Sequence, residues 1–314
     1  MSRFVAVLIF CAFASALPAQ TKAPAPRYRS TIQILDLESK SVRPVHVESG
    51  VAEAPNWSRD GKFLLFNFAG DLFRLPLDPS PGKPERLQLA PGGPYRCNND
   101  HDLSRDGKLL AFSASTQEHR QSQIYVAKAD GTEVRQLTFG PGASYFHGWS
   151  PDSKWLAFVG QRNGKFELFR VPATGGPEER LTSAGAYDDG PEYSPDGKWI
   201  YFNSDRGGGW NVWRMPANGA GEGDREAEQV TRDEWEDWFP HFSPDGRTVV
   251  FLSFPPGTRG HNDRMPGVVL RVLRQGAKSP EIVHRFFGGQ GSINVNSWAP
   301  DSKRFAFVEY QPLE

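Results

Sequence analysis

One phrase recurs six times along the chain: a serine or alanine, a turn of the form x-Asp-Gly/Ser-Lys/Arg, and a strand that ends in phenylalanine. It reads SRDGKFLLF from Ser58, SRDGKLLAF from Ser104, SPDSKWLAF from Ser150, SPDGKWIYF from Ser194, SPDGRTVVF from Ser243 and APDSKRFAF from Ala299. Successive copies start 46, 46, 44, 49 and 56 residues apart. A period in the mid-forties, with strand patterning inside each unit, is the size of a four-stranded propeller blade. A blade cannot bury its apolar faces alone, so the repeat demands a ring.

Within each unit the phrase joins an inner strand to the next strand through an Asp-Gly hairpin. Gly61, Gly107, Gly197 and Gly246 supply positive φ there, and the aspartate carboxylate can accept hydrogen bonds from its own turn. The six aspartates are thereby explained as turn chemistry. A third strand follows, as in DLFRLPL from Asp71 and QIYVAKA from Gln123, and then a short charged outer strand such as EERLT. Trp57, Trp149, Tyr193, Phe242 and Trp298, with Leu103 in the second unit, occupy one slot just before the phrase and are expected to pack between blades.

Residues 31–49 read as third and fourth strands without a first and second. The last unit, SINVNSWAPDSKRFAFVEY, supplies a first and second and then stops. The expected fold is therefore all-β: a six-bladed β-propeller of four-stranded antiparallel blades over residues 31–314, closed by N- and C-terminal strands sharing one blade. The 56-residue spacing is taken up by an insertion, FPPGTRGHNDRMPG from Phe254, expected to project over one face.

The first 19 residues, with an apolar run from Phe4 and small residues near Ala16 and Ala19, read as a secretory signal peptide cut after one or the other. Residues 20–30 read as a short linker. Export predicts a periplasmic or secreted protein with no transmembrane segment in the mature chain. Cys97 would then be its only cysteine, leaving no internal disulfide. A formal net charge of −1 gives no reason to expect nucleic acid as a partner, and a monomer is expected.

The segments leading into the inner strands should converge at one mouth of the ring. They read VAEAPN, CNNDHD, SYFHG, YDDGPE, DWFPH and GSINVNS, and unlike the phrase they differ from blade to blade. The candidate ligand-binding residues are Asn99, Asp100, His101, Asp102, His147, Asp188, Asp189, Glu192, Trp238, His241, Asn294 and Asn296, with His261 from the insertion. Each alone could merely satisfy backbone groups; as a convergent polar set they make a binding hypothesis. Asp100, His101, His147, Asp188, Asp189 and His241 could instead hold a divalent cation, calcium through oxygen ligands or a transition metal through the histidines. No diagnostic metal spacing accompanies them. Tyr145, Trp210, Trp235 and Trp238 offer aromatic faces for a saccharide or peptide. Catalytic residues are not identifiable: there is no GxSxG elbow, no Walker loop and no HExxH.

The phrases SPDGKWIYF and SPDGRTVVF and their relatives make the chain resemble TolB-type, WD-repeat-like β-propellers of exported bacterial proteins. The segments CNNDHDLS, YFHGWSPDSK, YDDGPEYSPDGK, WFPHFSPDG and GGQGSINVNSWAPDS are similar to a stand-alone subgroup of them. About ten residues between the expected cleavage site and the first strand leave no room for the domain that precedes the propeller in TolB. With that polar mouth, the leading expectation is an exported, non-enzymatic binding or scaffolding module whose partner is an envelope protein or an extracellular saccharide or peptide. Its enzymatic alternative is a metal-assisted lyase or glycoside hydrolase acting on an acidic saccharide. Oligogalacturonate lyase is a metal-using relative on a similar scaffold, but its histidine arrangement has no residue-by-residue counterpart here.

Overall fold

A computed structural model describes residues 27–313 apart from Gly92 and Asn163; the expected signal peptide lies outside the described residues. Five four-stranded antiparallel sheets follow one another along the chain, with inner strands Ala52–Trp57, Arg96–Leu103, Ser144–Trp149, Asp188–Tyr193 and Glu236–Phe242. We number these blades 1 to 5. Blade 6 is built from both ends: Arg27–Asp36 pairs with Val42–Ser49 on one side and with Arg304–Leu313 on the other. The fold is a six-bladed propeller. The closing ladder runs without a break from Arg27↔Leu313 to Asp36↔Arg304. It starts at Arg27, inside the segment read as linker, because the C-terminal strand extends far enough to pair with it.

The inner position of blade 6 departs from the sequence expectation. Only Trp298 bridges Phe305, and residues 290–292 form a 3-10 turn. The polar side chains of this segment are drawn sideways into other blades: Asn294 Nδ2 donates to Asp100 Oδ1 at 2.6 Å, and Asn296 Nδ2 to the Phe242 carbonyl at 2.9 Å.

The phrase explains its own repetition. Ser58 Oγ donates to Asp60 at 2.7 Å and accepts the Phe63 N–H at 3.1 Å, tying both sides of the hairpin. Ser104, Ser150, Ser194 and Ser243 repeat the bond to their aspartates at 2.6 Å. Where Asp-Ser replaces Asp-Gly, Ser153 and Ser302 take the left-handed conformation, at φ 59 and 60. The terminal phenylalanines Phe66, Phe112, Phe158, Phe202, Phe251 and Phe307 are all buried, each contributing about 2 kcal/mol of apolar burial. Three of them stack on the aromatic directly opposite on the third strand: Phe66 on Phe73, Phe112 on Tyr125 and Phe158 on Phe169. The slot residues Trp57, Leu103, Trp149, Tyr193, Phe242 and Trp298 are buried as well. Cys97 is buried too, and burial pushes its thiol up to about 12, out of reach of ordinary thiolate chemistry.

A second regularity was not visible in the sequence. Every inner strand of blades 1 to 5 loses register within its leader, between Glu53 and Asn56, Cys97 and His101, Phe146 and Gly148, Asp189 and Glu192, and Trp238 and His241. Bulges at a sheet rim re-aim side chains. Here they decide which leader residues face the mouth.

Candidate binding site at the leader mouth

Leaders of blades 2, 3 and 4 and the insertion of blade 5 enclose a hollow of about 420 Å³. Its polar wall comprises Asn99, Asp100, His147, Asp189 and His261, and its aromatic wall Tyr145, Phe166 and Tyr187. The insertion folds inward, so that Asn262 also faces the hollow.

At the centre stands Asp189, shared by two histidines. His147 Nε2 lies 3.2 Å from its Oδ1 and His261 Nε2 lies 3.8 Å from its Oδ2. The Gly190 N–H donates to the same carboxylate at 2.7 Å. Burial opposes charge on Asp189, but the bond from His147 and the positive charge nearby outweigh it and hold the carboxyl below its usual range. Burial likewise opposes the imidazolium of His147, and Asp189 together with Asp100 outweighs it, raising that histidine. His261 is lowered, because burial there exceeds the pull of the more distant Asp189. The two histidines on one carboxylate are therefore shifted in opposite directions. Among the described residues Asp100 has only Asn294 as a direct donor, and burial pushes it up to about 6. Tyr187 is raised as well, by burial and then by Asp189, so it stays a neutral donor.

The floor beneath this pair is strained. Phe239 adopts φ 55, unusual for a bulky residue. Its ring stacks on His147 at 5.7 Å and meets His261 edge-on at 5.4 Å. Its N–H is taken by Asn203 Oδ1 at 3.0 Å. Gly190 beside it has φ 62, and a Cβ there would fall 2.6 Å from the same Asn203 oxygen, so only glycine fits. Such strain persists where the surroundings fix it, and it clusters at functional sites.

The remaining candidates lie elsewhere. Asp188, next to Asp189, faces the opposite way and pairs with Arg206 at 2.8 Å. His101 is fully buried, with neither ring nitrogen paired, and burial lowers it to about 4. Trp238 is buried as a support, its ring packed at a tilt against Trp210 at 3.9 Å and against His261 at 4.0 Å. Trp235 sits on the outer side of blade 5 against Arg271 and Arg285. Glu192, His241 and Asn296 form a deeper group: Asn296 Nδ2 donates to Glu192 at 2.8 Å, and His241 Nδ1 is 3.7 Å from the same carboxylate. Asp102 pairs with Arg59 at 2.6 Å, toward the other end of the channel. Of the six metal candidates, Asp100, His147 and Asp189 share the hollow while His101, Asp188 and His241 lie outside it, and among the described residues no three His, Cys, Asp or Glu side chains converge as a ligand set. Tyr187, Phe166 and Gln290 line the hollow without having been singled out; Tyr187 opens the YDDGPE leader and was readable there.

Comparison with known proteins agrees with this architecture. An uncharacterized protein of Agrobacterium fabrum is 40% identical over 293 residues, 93% of this chain and 96% of its own. A solved structure from Agrobacterium tumefaciens, provisionally designated TolB, superposes with a TM-score of 0.84 at 39% identity, covering 91% of this chain and 99% of that one. An oligogalacturonate lyase from Vibrio parahaemolyticus shares the fold alone, with a TM-score of 0.55 at 11% identity over 90% of this chain and 83% of its own. The family model described as the TolB beta propeller domain matches residues 102–276, the stretch that carries four of the six phrases and most of the hollow. The chain belongs to the TolB β-propeller family.

Proposed function

We propose that this TolB-like propeller is an exported, non-enzymatic binding module whose leader mouth engages a polar segment of an envelope or extracellular partner. The observation that carries this reading is the hollow itself. Side chains from three blades and an insertion, distant in sequence, meet around one shared carboxylate above a strained support. Closing a ring needs none of this. Asp100 and Asp189 face aromatic walls, a combination suited to ligand hydroxyl, amide or ammonium donors that lay an apolar stem against Tyr145, Phe166 or Tyr187. The expected secretory leader supports the compartment in which such a partner would be met.

A photo-crosslinking amino acid in place of Tyr187, irradiated in an envelope fraction of the host, tests the reading. A discrete adduct that disappears on Asp189→Asn supports it. Adducts indifferent to Asp189→Asn, or none at all, overturn it.

A further inference from the structure

The opposite end of the channel is ringed by the six turns, and it is not closed. The residue after the serine or alanine of each phrase reaches its rim: Arg59 and Arg105 in blades 1 and 2, proline in the other four. All six line a hollow of about 300 Å³, together with Phe242 and Trp298. This position varies in the repeat, yet its variation is sorted in space, with both cations adjacent and the prolines completing the circle.

Each arginine is anchored by a buried carboxylate. Arg59 Nη2 donates to Asp102 at 2.6 Å and to the Leu103 carbonyl, and its Nε to the Ser104 carbonyl at 3.1 Å. Arg105 Nη2 donates to Glu192 at 2.8 Å. This pairing takes one donor nitrogen of Arg105, Nη2, and two of Arg59, Nη2 and Nε. It leaves Arg105 Nε and Nη1, and Arg59 Nη1, without an acceptor among the described residues, on side chains 26% and 22% exposed. Burial and the like charge of Arg105, against the opposing pull of Asp102, depress Arg59. An anion between them would relieve that repulsion. The other donors of the rim are committed: Ser58 and Ser243 Oγ to Asp60 and Asp245, and Trp298 Nε1 to the His241 carbonyl at 3.0 Å, while proline lacks an N–H.

We infer that this turn-side mouth is a second binding site, for a small organic carboxylate with an apolar body. Its carboxylate would accept from the free Nη1 of Arg59 and from the donors that Glu192 leaves free on Arg105, as charge-assisted hydrogen bonds. Its body would rest on the prolines and Phe242. A monoanion suits the site better than a phosphate dianion, since Asp102 and Glu192 already neutralise part of the positive charge. Pro195 and Phe242 also border a larger groove of about 710 Å³ between blades 4 and 5, which carries Asp196, Arg214 and Arg247 beside Trp199 and Tyr201. The site is independent of the leader mouth, and its failure would leave that reading standing.

Calorimetric titration of the purified chain with 3-phenylpropionate and, separately, with its neutral amide tests the assignment. The acid should bind with a dissociation constant in the millimolar range or tighter, and the amide about tenfold more weakly. Arg105→Gln should weaken the acid about tenfold, whereas Arg285→Gln, on the outer edge of blade 5, should leave it unchanged. Should Arg105→Gln not fold, Arg105→Lys keeps a cation for Glu192 while losing the free fork edge, and should weaken binding several-fold. Equal affinity for acid and amide, no saturation by the acid, or equal losses in the Arg105 and Arg285 variants would overturn the proposal.

Discussion

The two mouths of this propeller are the two ends of the same inner strands, yet their side chains obey different rules. At the turn end the repeat dictates almost everything: a serine hydroxyl, an aspartate and a positive φ in copy after copy. The position after the serine or alanine is either arginine or proline. At the leader end each inner strand of blades 1 to 5 is bulged, and no two leaders present the same chemistry. A scaffold of identical turns can hold a site of unlike residues because the hairpin, not the leader, fixes strand pairing. The charges differ accordingly. Buried ions at the turn mouth are matched one to one, whereas at the leader mouth Asp100 has, among the described residues, only an amide donor. At both mouths burial works against part of the charge, lowering Arg59 at the turn end and raising Asp100 at the leader end.

Four measurements can break or sharpen this contrast. The largest effect is expected at the turn mouth, where Arg59→Ala strands the buried Asp102 carboxylate and should cost about 3 kcal/mol in denaturant unfolding. A loss near zero would mean that the ion pair is ornamental. The next effect has the opposite sign. Asp100 is raised to about 6 from an unfolded value near 3.8, so its ionised form weakens the fold progressively as pH rises through that interval. Asp100→Asn should therefore stabilise the protein by about 2 kcal/mol at pH 8 and by almost nothing at pH 3.5. Destabilisation at pH 8 would show that the leader mouth is not strained by its charge.

A smaller effect belongs to His147 and Asp189. The histidine is raised, so its contribution is complete below its unfolded value near 6.5 and is lost as pH climbs through its folded value. The aspartate is lowered, so its contribution is present above about 4 and lost as pH falls through its folded value. His147→Gln should then cost about 1 kcal/mol at pH 5.5 and less at pH 8.5. A cost independent of pH would assign the imidazole a packing role only. The smallest effect is in a turn: Ser153→Gly relieves a left-handed serine but frees the unfolded chain, and should change stability by less than about 0.5 kcal/mol.

The ring was legible because its information is repeated. Six phrases specify six hairpins, and the missing half-blades at either end specify the closure. The leader mouth was legible only as a neighbourhood. Asp188 and Asp189 are adjacent in sequence, yet one pairs outward with Arg206 and the other anchors two histidines. Strand alternation separates them, but the bulge sets which of the two faces inward, and no local motif announces its register. His101 and His241 are drawn into the interior by the same geometry. Arg59 and Arg105 escaped notice for the opposite reason: they occupy the variable letter of a phrase already explained as turn chemistry. Their meaning emerges only when six turns are set side by side.

The closing ladder also determines how the molecule comes apart. Its strands run antiparallel with Arg27 opposite Leu313, so both described ends leave the ring at one spot and in one direction. Tension applied between those ends would load one pair of hydrogen bonds at a time, as in a zipper. The same load on the two edges of a single blade would have to shear a whole row together. The seam that joins the farthest parts of the sequence is thus the last pairing a folding chain can make, and the first that a translocase or unfoldase pulling on the ends would open.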